Sequence, residues 1–132
     1  VTETLQVIDS AGAGPVPAHA ELATVLDALR ECEQAANACA MAMVEVGGMV
    51  TEVRRDLDCA DMCDATEHVL SRGPATDLNI VGSVVHACAL ACQASAAACG
   101  PHAAQYEHCR LHSESAKRCA EALQHLEKSL SF

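Results

Sequence analysis

The cysteines of this chain recur at helical intervals. There are nine in 132 residues, and they fall into four groups. Cys32 and Cys39 are seven residues apart, and Cys59 and Cys63 are four apart. Cys88, Cys92 and Cys99 are separated by four and then seven, and Cys109 and Cys119 by ten. At about 100° per residue each group falls near one face of a helix. Four helices, each with a thiol stripe, can bury those stripes only against one another. An odd count cannot pair off within one chain, and in a reducing compartment free thiols favour metal binding over bridging.

The rest of the sequence suits helices. It is 51% hydrophobic but only 2% aromatic, and alanine, the best helix former, supplies much of the apolar content. Breakers lie between the cysteine groups. Gly47-Gly48 ends a first long helix over about His19–Val46, and Arg72-Gly73-Pro74 ends a second over about Met49–Ser71. A third, capped by Thr76 or Asp77, runs to Cys99-Gly100-Pro101, and a fourth runs from about His102 to Leu130 with Pro101 in its first turn. Short links force antiparallel neighbours, so the expected fold is all-α: an antiparallel up-down-up-down four-helix bundle over 19–132. Residues 1–18, with the Ala-Gly-Ala-Gly-Pro-Val-Pro run, read as a flexible N-terminal tail, in which Thr4–Asp9 is a candidate short helix.

The stripes continue into ordinary apolar core on one side only. Leu22, Val25 and Leu29 precede the cysteines of the first helix, and Val69 and Leu70 follow those of the second. Ile80, Val81, Val84 and Val85 precede those of the third, and Leu123, Leu126 and Leu130 follow those of the fourth. In an antiparallel bundle these groups meet at one end. The opposite end collects Met41, Met43, Met49, His102, Tyr106 and His108.

Formal charge is −10. Such a surface repels phosphate backbones, which excludes nucleic acid, and attracts cations. No run of about 18 uninterrupted apolar residues spans a membrane. The N-terminus has no basic start and no apolar h-region, so a cytoplasmic location is expected.

Thiolate and thioether are soft donors that select Cu(I), with zinc and iron–sulfur clusters as competitors. The candidate ligands are Cys32, Cys39, Cys59, Cys63, Cys88, Cys92, Cys99, Cys109 and Cys119. His112 and Met43 stand on the stripes, and His102 and His108 stand at the open end. His19, His68, His86, His125 and Met62 read as solvated or ordinarily satisfied side chains.

Cys59-Ala60-Asp61-Met62-Cys63 resembles the Cys-Ala-Asp-x-Cys element of the cysteine-rich four-helix-bundle copper-storage proteins. Cys88-Ala-Leu-Ala-Cys92, Cys99, His102 and Glu107-His108-Cys109 are similar to that family's third helix, loop and fourth helix. The resemblance covers about residues 28–124. It implies a bundle that stores Cu(I) inside, as a homo-oligomer (a tetramer), with His and Met at the entry end and a copper chaperone as a candidate donor. Where the family usually has cysteine this chain has Ala36, Met43, Glu52, Ser95, His112, Ala116 and Leu123, so the thiol set is reduced. That reduction keeps two other functions in view. One is a metalloenzyme or redox protein with a defined Cys/His centre near Cys92, Cys99, Cys109, His112 and Cys119. The other is a disulfide-based redox sensor.

Overall fold

A computed structural model describes residues 3–10, 19–72 and 77–130. The described residues form five α-helices and one 3-10 turn: α1 (Glu3–Ser10), α2 (His19–Val46), α3 (Val50–Ser71), α4 (Leu78–Cys99), the turn Gly100–His102, and α5 (Glu107–Leu130). The four long helices pack as a ring, α2 on α3, α3 on α4, α4 on α5 and α5 on α2. This is the expected antiparallel four-helix bundle.

Local chemistry sets the helix ends. Gly47 and Gly48 have φ of 81° and 71°, a left-handed conformation that favours glycine, and the Gly47 amide donates to the Met43 carbonyl at 3.2 Å. Asp77 caps α4, its side chain accepting from the Asn79 and Ile80 amides at 3.0 and 3.2 Å. Thr76, the other candidate cap, lies outside the described residues. The Thr4–Asp9 helix is present as α1, and it lies against α2 with Ile8 buried in the common core. Residues 11–18 of the expected tail lie outside the described residues.

The fourth long helix begins five residues later than expected. Pro101 stands in a 3-10 turn instead of the helix, and the His102 carbonyl accepts from the Gln105 and Tyr106 amides. The Tyr106 carbonyl then opens α5 by accepting from Cys109 and Arg110. The interruption leaves His102 free to reach across to Glu52 of α3, at 2.7 Å.

The apolar end is built from Leu22, Val25, Leu29, Leu70, Val81, Val85, Leu123, Leu126 and Leu130, all buried. Two expected members do not belong to it: Ile80 is 58% exposed and Val84 is half-buried. In the run Ile80-Val81-Gly-Ser-Val84-Val85 either of two registers fits a helical face, and α4 turns Val81 and Val85 inward. Each buried Leu or Val contributes about 1.5–3 kcal/mol. Leu78–His102 is long and apolar enough to cross a membrane by those two measures alone. In the bundle its inner face carries Val81, Val85, Cys88, Cys92, Ser95 and Cys99 against the other helices.

Alanines line the seams. Ala36, Ala40, Ala60, Ala89, Ala96, Ala116 and Ala120 are all buried. Side chains this small let the helices approach closely enough for cysteine sulfurs to meet across the bundle axis. All nine cysteines are 0% exposed.

Candidate metal centre

Six thiols meet in the middle of the bundle. Cys32 Sγ lies 3.5 Å from Cys59 Sγ. Cys92 Sγ lies 3.7 Å from both Cys59 and Cys63, and Cys88 Sγ is 3.9 Å from Cys63. The sulfurs of Cys32, Cys59, Cys63 and Cys92 all lie within 4.8 Å of one another. Cys119, from α5, is buried in the same cluster. Each long helix therefore contributes at least one sulfur to this inner chamber, and the thiol spacing of the sequence is what aims them there.

Burial and mutual hydrogen bonding split five of these thiols, Cys32, Cys63, Cys88, Cys92 and Cys119. Hydrogen bonds, from Cys119 foremost, hold Cys32 below the ordinary thiol range, and hydrogen bonding with Cys63 does the same for Cys88. Interaction with Cys119 foremost, together with burial, pushes Cys63 and Cys92 up. Cys119 is raised chiefly by Cys32. The physical cause is common to all: a buried thiolate is tolerated only where neighbouring S–H groups donate to it, and the donors then keep their protons.

A second group lies toward the α2–α3 and α4–α5 links. Cys39 Sγ is 3.4 Å from His108 Nδ1 and 4.0 Å from Cys109 Sγ. Cys109 lies 3.5 Å from His108 Nδ1 and 3.5 Å from the fully buried thioether of Met43. Tyr106 stacks on the His108 ring, with centroids 5.4 Å apart and 24° between planes. Burial raises the Cys109 thiol, and Cys99 foremost, with burial and Asp56, raises Cys39. This outer group offers thiolate, thioether and imidazole together.

A polar layer lies between the two groups. Asp56 Oδ1 accepts from Ser95 Oγ at 3.0 Å and from Cys99 Sγ at 3.0 Å, and His112 Nε2 lies 3.3 Å from it. Ser95 Oγ and His112 Nε2 are 2.7 Å apart. Burial pushes the Asp56 carboxyl up, but hydrogen bonds from His112 foremost, then Cys99 and Cys39, outweigh it and hold it below its ordinary value. Asp56 Oδ2 and His112 Nδ1 are buried with no partner among the described residues. Serine, histidine and aspartate are the residue types of a hydrolytic triad, but the geometry differs. Both partners address the same imidazole nitrogen, and all three residues are 0% exposed, so no substrate reaches them.

The expected ligands are distributed unevenly over this architecture. Cys39, Cys109, Met43 and His108 come together, as do Cys32, Cys59, Cys63, Cys88, Cys92 and Cys119. Cys99 turns to Asp56. His112 sits on the stripe but bonds the polar layer instead of a thiol. His102 is paired with Glu52 and stands outside both thiol groups. The sequence reading missed Asp56. It lies in register with Glu52, Cys59, Cys63 and Thr66, at the 4-3-4-3 spacing that picked out the cysteines.

Comparison with known proteins points the same way. Copper storage protein Ccsp from Streptomyces lividans, loaded with 10 copper equivalents, is 35% identical with a TM-score of 0.84, over 93% of this chain and 98% of that one. A cytosolic copper storage protein from the same organism, with five coppers, is 38% identical with a TM-score of 0.78, over 82% of this chain and 92% of that one. A Ccsp mutant with one histidine replaced by alanine is 37% identical with a TM-score of 0.83, over 89% of this chain and all of that one. No curated protein matches the sequence. The copper storage protein family, Csp, matches residues 18–128. With its cysteine-lined four-helix bundle and a match spanning nearly the whole of it, the chain belongs to the copper storage protein family.

Proposed function

We propose that this protein stores copper as Cu(I) in the cytoplasm, holding the ions on inward-facing thiolates. The observation that carries the reading is the inner chamber, where six buried thiols share one cluster, five of them with a sulfur within 3.9 Å of another, and no nitrogen donor stands in the four-sulfur group at its centre. A soft monovalent ion suits that donor set, and each ion bound offsets buried thiolate charge. Loading displaces the thiol proton: the S–H bond breaks, the proton leaves to solvent, and the sulfur lone pair binds the metal. Affinity therefore rises with pH.

The inner six cysteines, with Cys39, Cys99, Cys109, Met43 and His108, are the proposed ligands. Copper ions reach the chamber from the outer group, where a chaperone would deliver them. Asp56, Ser95 and His112 lie on that path, and the two unpartnered atoms of the layer support a role in passing a cation inward. A defined Cys/His centre is the competing reading, and it rests on the outer group alone.

Self-association is part of the proposal. Val44, Val50 and Leu57 are 55%, 79% and 38% exposed and, with Val53, line an apolar groove at the α2–α3 link. That surface favours a homo-oligomer, which sedimentation of the apo protein measures directly.

Titration of the fully reduced protein with Cu(I) against a coloured chelator tests storage. Several ions per chain are expected, and Cys59→Ser with Cys63→Ser should remove at least one. One ion per chain, insensitive to that double change, transfers the function to the outer centre. Zn(II) binding more tightly than Cu(I) replaces storage with a structural zinc role.

A further inference from the structure

At one level of the bundle each long helix carries an inner-stripe residue without sulfur. On α2 Ala36 stands between Cys32 of the inner chamber and Cys39 of the outer group. On α4 Ser95 stands between Cys92 and Cys99, and on α5 His112 stands between Cys109 and Cys119. On α3 Asp56 precedes Cys59, with no cysteine before it. Ala36, Asp56, Ser95 and His112 are all 0% exposed, and the last three are linked to one another at 2.7–3.3 Å. Cys99 reaches Asp56 from the side of Cys39.

The gap is too wide for copper to bridge. Metal–thiolate bonds are about 2.3 Å long, so one ion joins two sulfurs only when they lie within about 4.6 Å. Cys32 and Cys39 are seven residues apart, as are Cys92 and Cys99, which is a helical rise of about 10 Å. Cys109 and Cys119 are ten apart, or about 15 Å. Among the described residues, each close set of three or more donors that contains cysteine falls on one side. Cys32, Cys59, Cys63 and Cys92 form the inner set, and Cys39 joins His108 and Cys109, or Asp56 and Cys99, in the outer ones. The level between offers a carboxylate oxygen, an imidazole nitrogen and a hydroxyl. A thiolate carries the same charge as the carboxylate and is softer than any of the three, so Cu(I) is held less well there than on either side. The layer is crossed, not occupied.

We infer that this layer is a septum dividing the copper into two pools with different functions: an exchangeable outer pool on Cys39, Cys99, Cys109, Met43 and His108, and an inner store that the septum retains. An ion leaving the inner chamber gives up thiolate for oxygen or nitrogen before it meets thiolate again, and that exchange sets the rate of release. The outer pool faces no such step on its way to the mouth. One molecule thus returns copper quickly to an acceptor bearing soft ligands while holding a reserve. This inference rests on the copper-storage reading and adds a faster-exchanging function to it.

The test is release. The full chain is saturated with Cu(I) in the absence of oxygen and mixed by stopped flow with an excess of a coloured Cu(I) chelator. Wild type should release copper in two phases, the second slower by about tenfold or more. Cys39→Ser with Cys109→Ser should lose the fast phase and keep a slow one. Ser95→Cys is nearly isosteric and places a sulfur between Cys92 and Cys99. It should accelerate the slow phase about tenfold, although an added thiolate by affinity alone would slow release. Ala36→Cys, which adds sulfur at the same level from α2, should do likewise, and it decides alone if Ser95→Cys does not fold. Ser95→Ala keeps the level free of sulfur and should not reproduce the acceleration. Four results would overturn the inference: a single phase in wild type, a fast phase that survives loss of Cys39 and Cys109, an unchanged or slower slow phase in the cysteine variants, or equal acceleration in Ser95→Ala. A wild-type protein that takes up no Cu(I) removes the storage reading itself, whereas one that loads several ions and releases them in one phase removes only the septum.

Discussion

Asp56 gathers donors onto one oxygen: the Ser95 hydroxyl, the Cys99 thiol and His112 Nε2. Asp56→Asn preserves shape but removes the charge that makes those contacts strong, and should lower stability by about 1–3 kcal/mol at neutral pH, read by urea denaturation. The pH dependence follows from the depressed carboxyl. A folded-state value below the ordinary 3.8 means that the contribution is complete above that value and fades as pH falls through it toward the lower folded value. Wild type and Asp56→Asn should therefore differ fully at pH 7 and converge only in strong acid. A gap that stays constant into acid would assign the loss to packing instead of charge. The residue was hard to find in the sequence for a physical reason. Between Arg54, Arg55 and Asp58 a carboxylate reads as one more solvated charge, because burying it is favourable only when several donors converge, and those donors come from α4 and α5. The cysteines were legible because thiol spacing needs no partner from another helix to betray its face.

Helix ends divide in the same way. Stops written in backbone chemistry were readable. Gly47 and Gly48 adopt the left-handed conformation that their tandem placement suggests, and Asp77 caps α4 with two hydrogen bonds. Added Cβ atoms at Gly47 or Gly48 would meet nothing within 4 Å, so alanine there is penalised by backbone conformation alone. Gly47→Ala and Gly48→Ala should each lose about 1 kcal/mol in chemical denaturation with copper capacity unchanged. Asp77→Ala should lose about 1 kcal/mol through its cap. The start of α5 was not readable, because Pro101 suits the first turn of an α-helix and of a 3-10 turn equally. The choice goes with side-chain contacts, Glu52 of α3 holding His102 from across the bundle and the Tyr106 ring stacking locally on His108. The register of α4 was ambiguous for a related reason: Ile80, Val81, Val84 and Val85 offer two apolar faces, and only packing against α3 and α5 selects one.

At the scale of the whole molecule the bundle has a direction. Its apolar end is closed by the buried side chains of Leu22, Leu29, Leu123 and Leu126, which carry no metal donor. At the other end His108 and Met43 touch Cys39 and Cys109, and the polar layer follows before the inner thiols. A soft ion moving inward exchanges imidazole and thioether for thiolate, so each step leads to a stronger ligand. Stability and uptake should then separate by end. Leu29→Ala or Leu126→Ala should remove about 2–5 kcal/mol of stability by opening a cavity in the plug, leaving the rate of Cu(I) uptake near wild type. His108→Ala combined with Met43→Leu, the latter close to volume-conserving, should do the reverse. In stopped-flow mixing with a Cu(I)–chelator complex, uptake should slow severalfold while final capacity falls little, since the inner six thiols are intact. His102→Ala is the internal control, because its imidazole is engaged by Glu52 and belongs to neither thiol group among the described residues, and its effect on rate should be the smaller. Equal slowing by a plug variant and by the His108/Met43 variant would show that ions enter through breathing of the bundle, and that the asymmetry of its two ends serves stability alone.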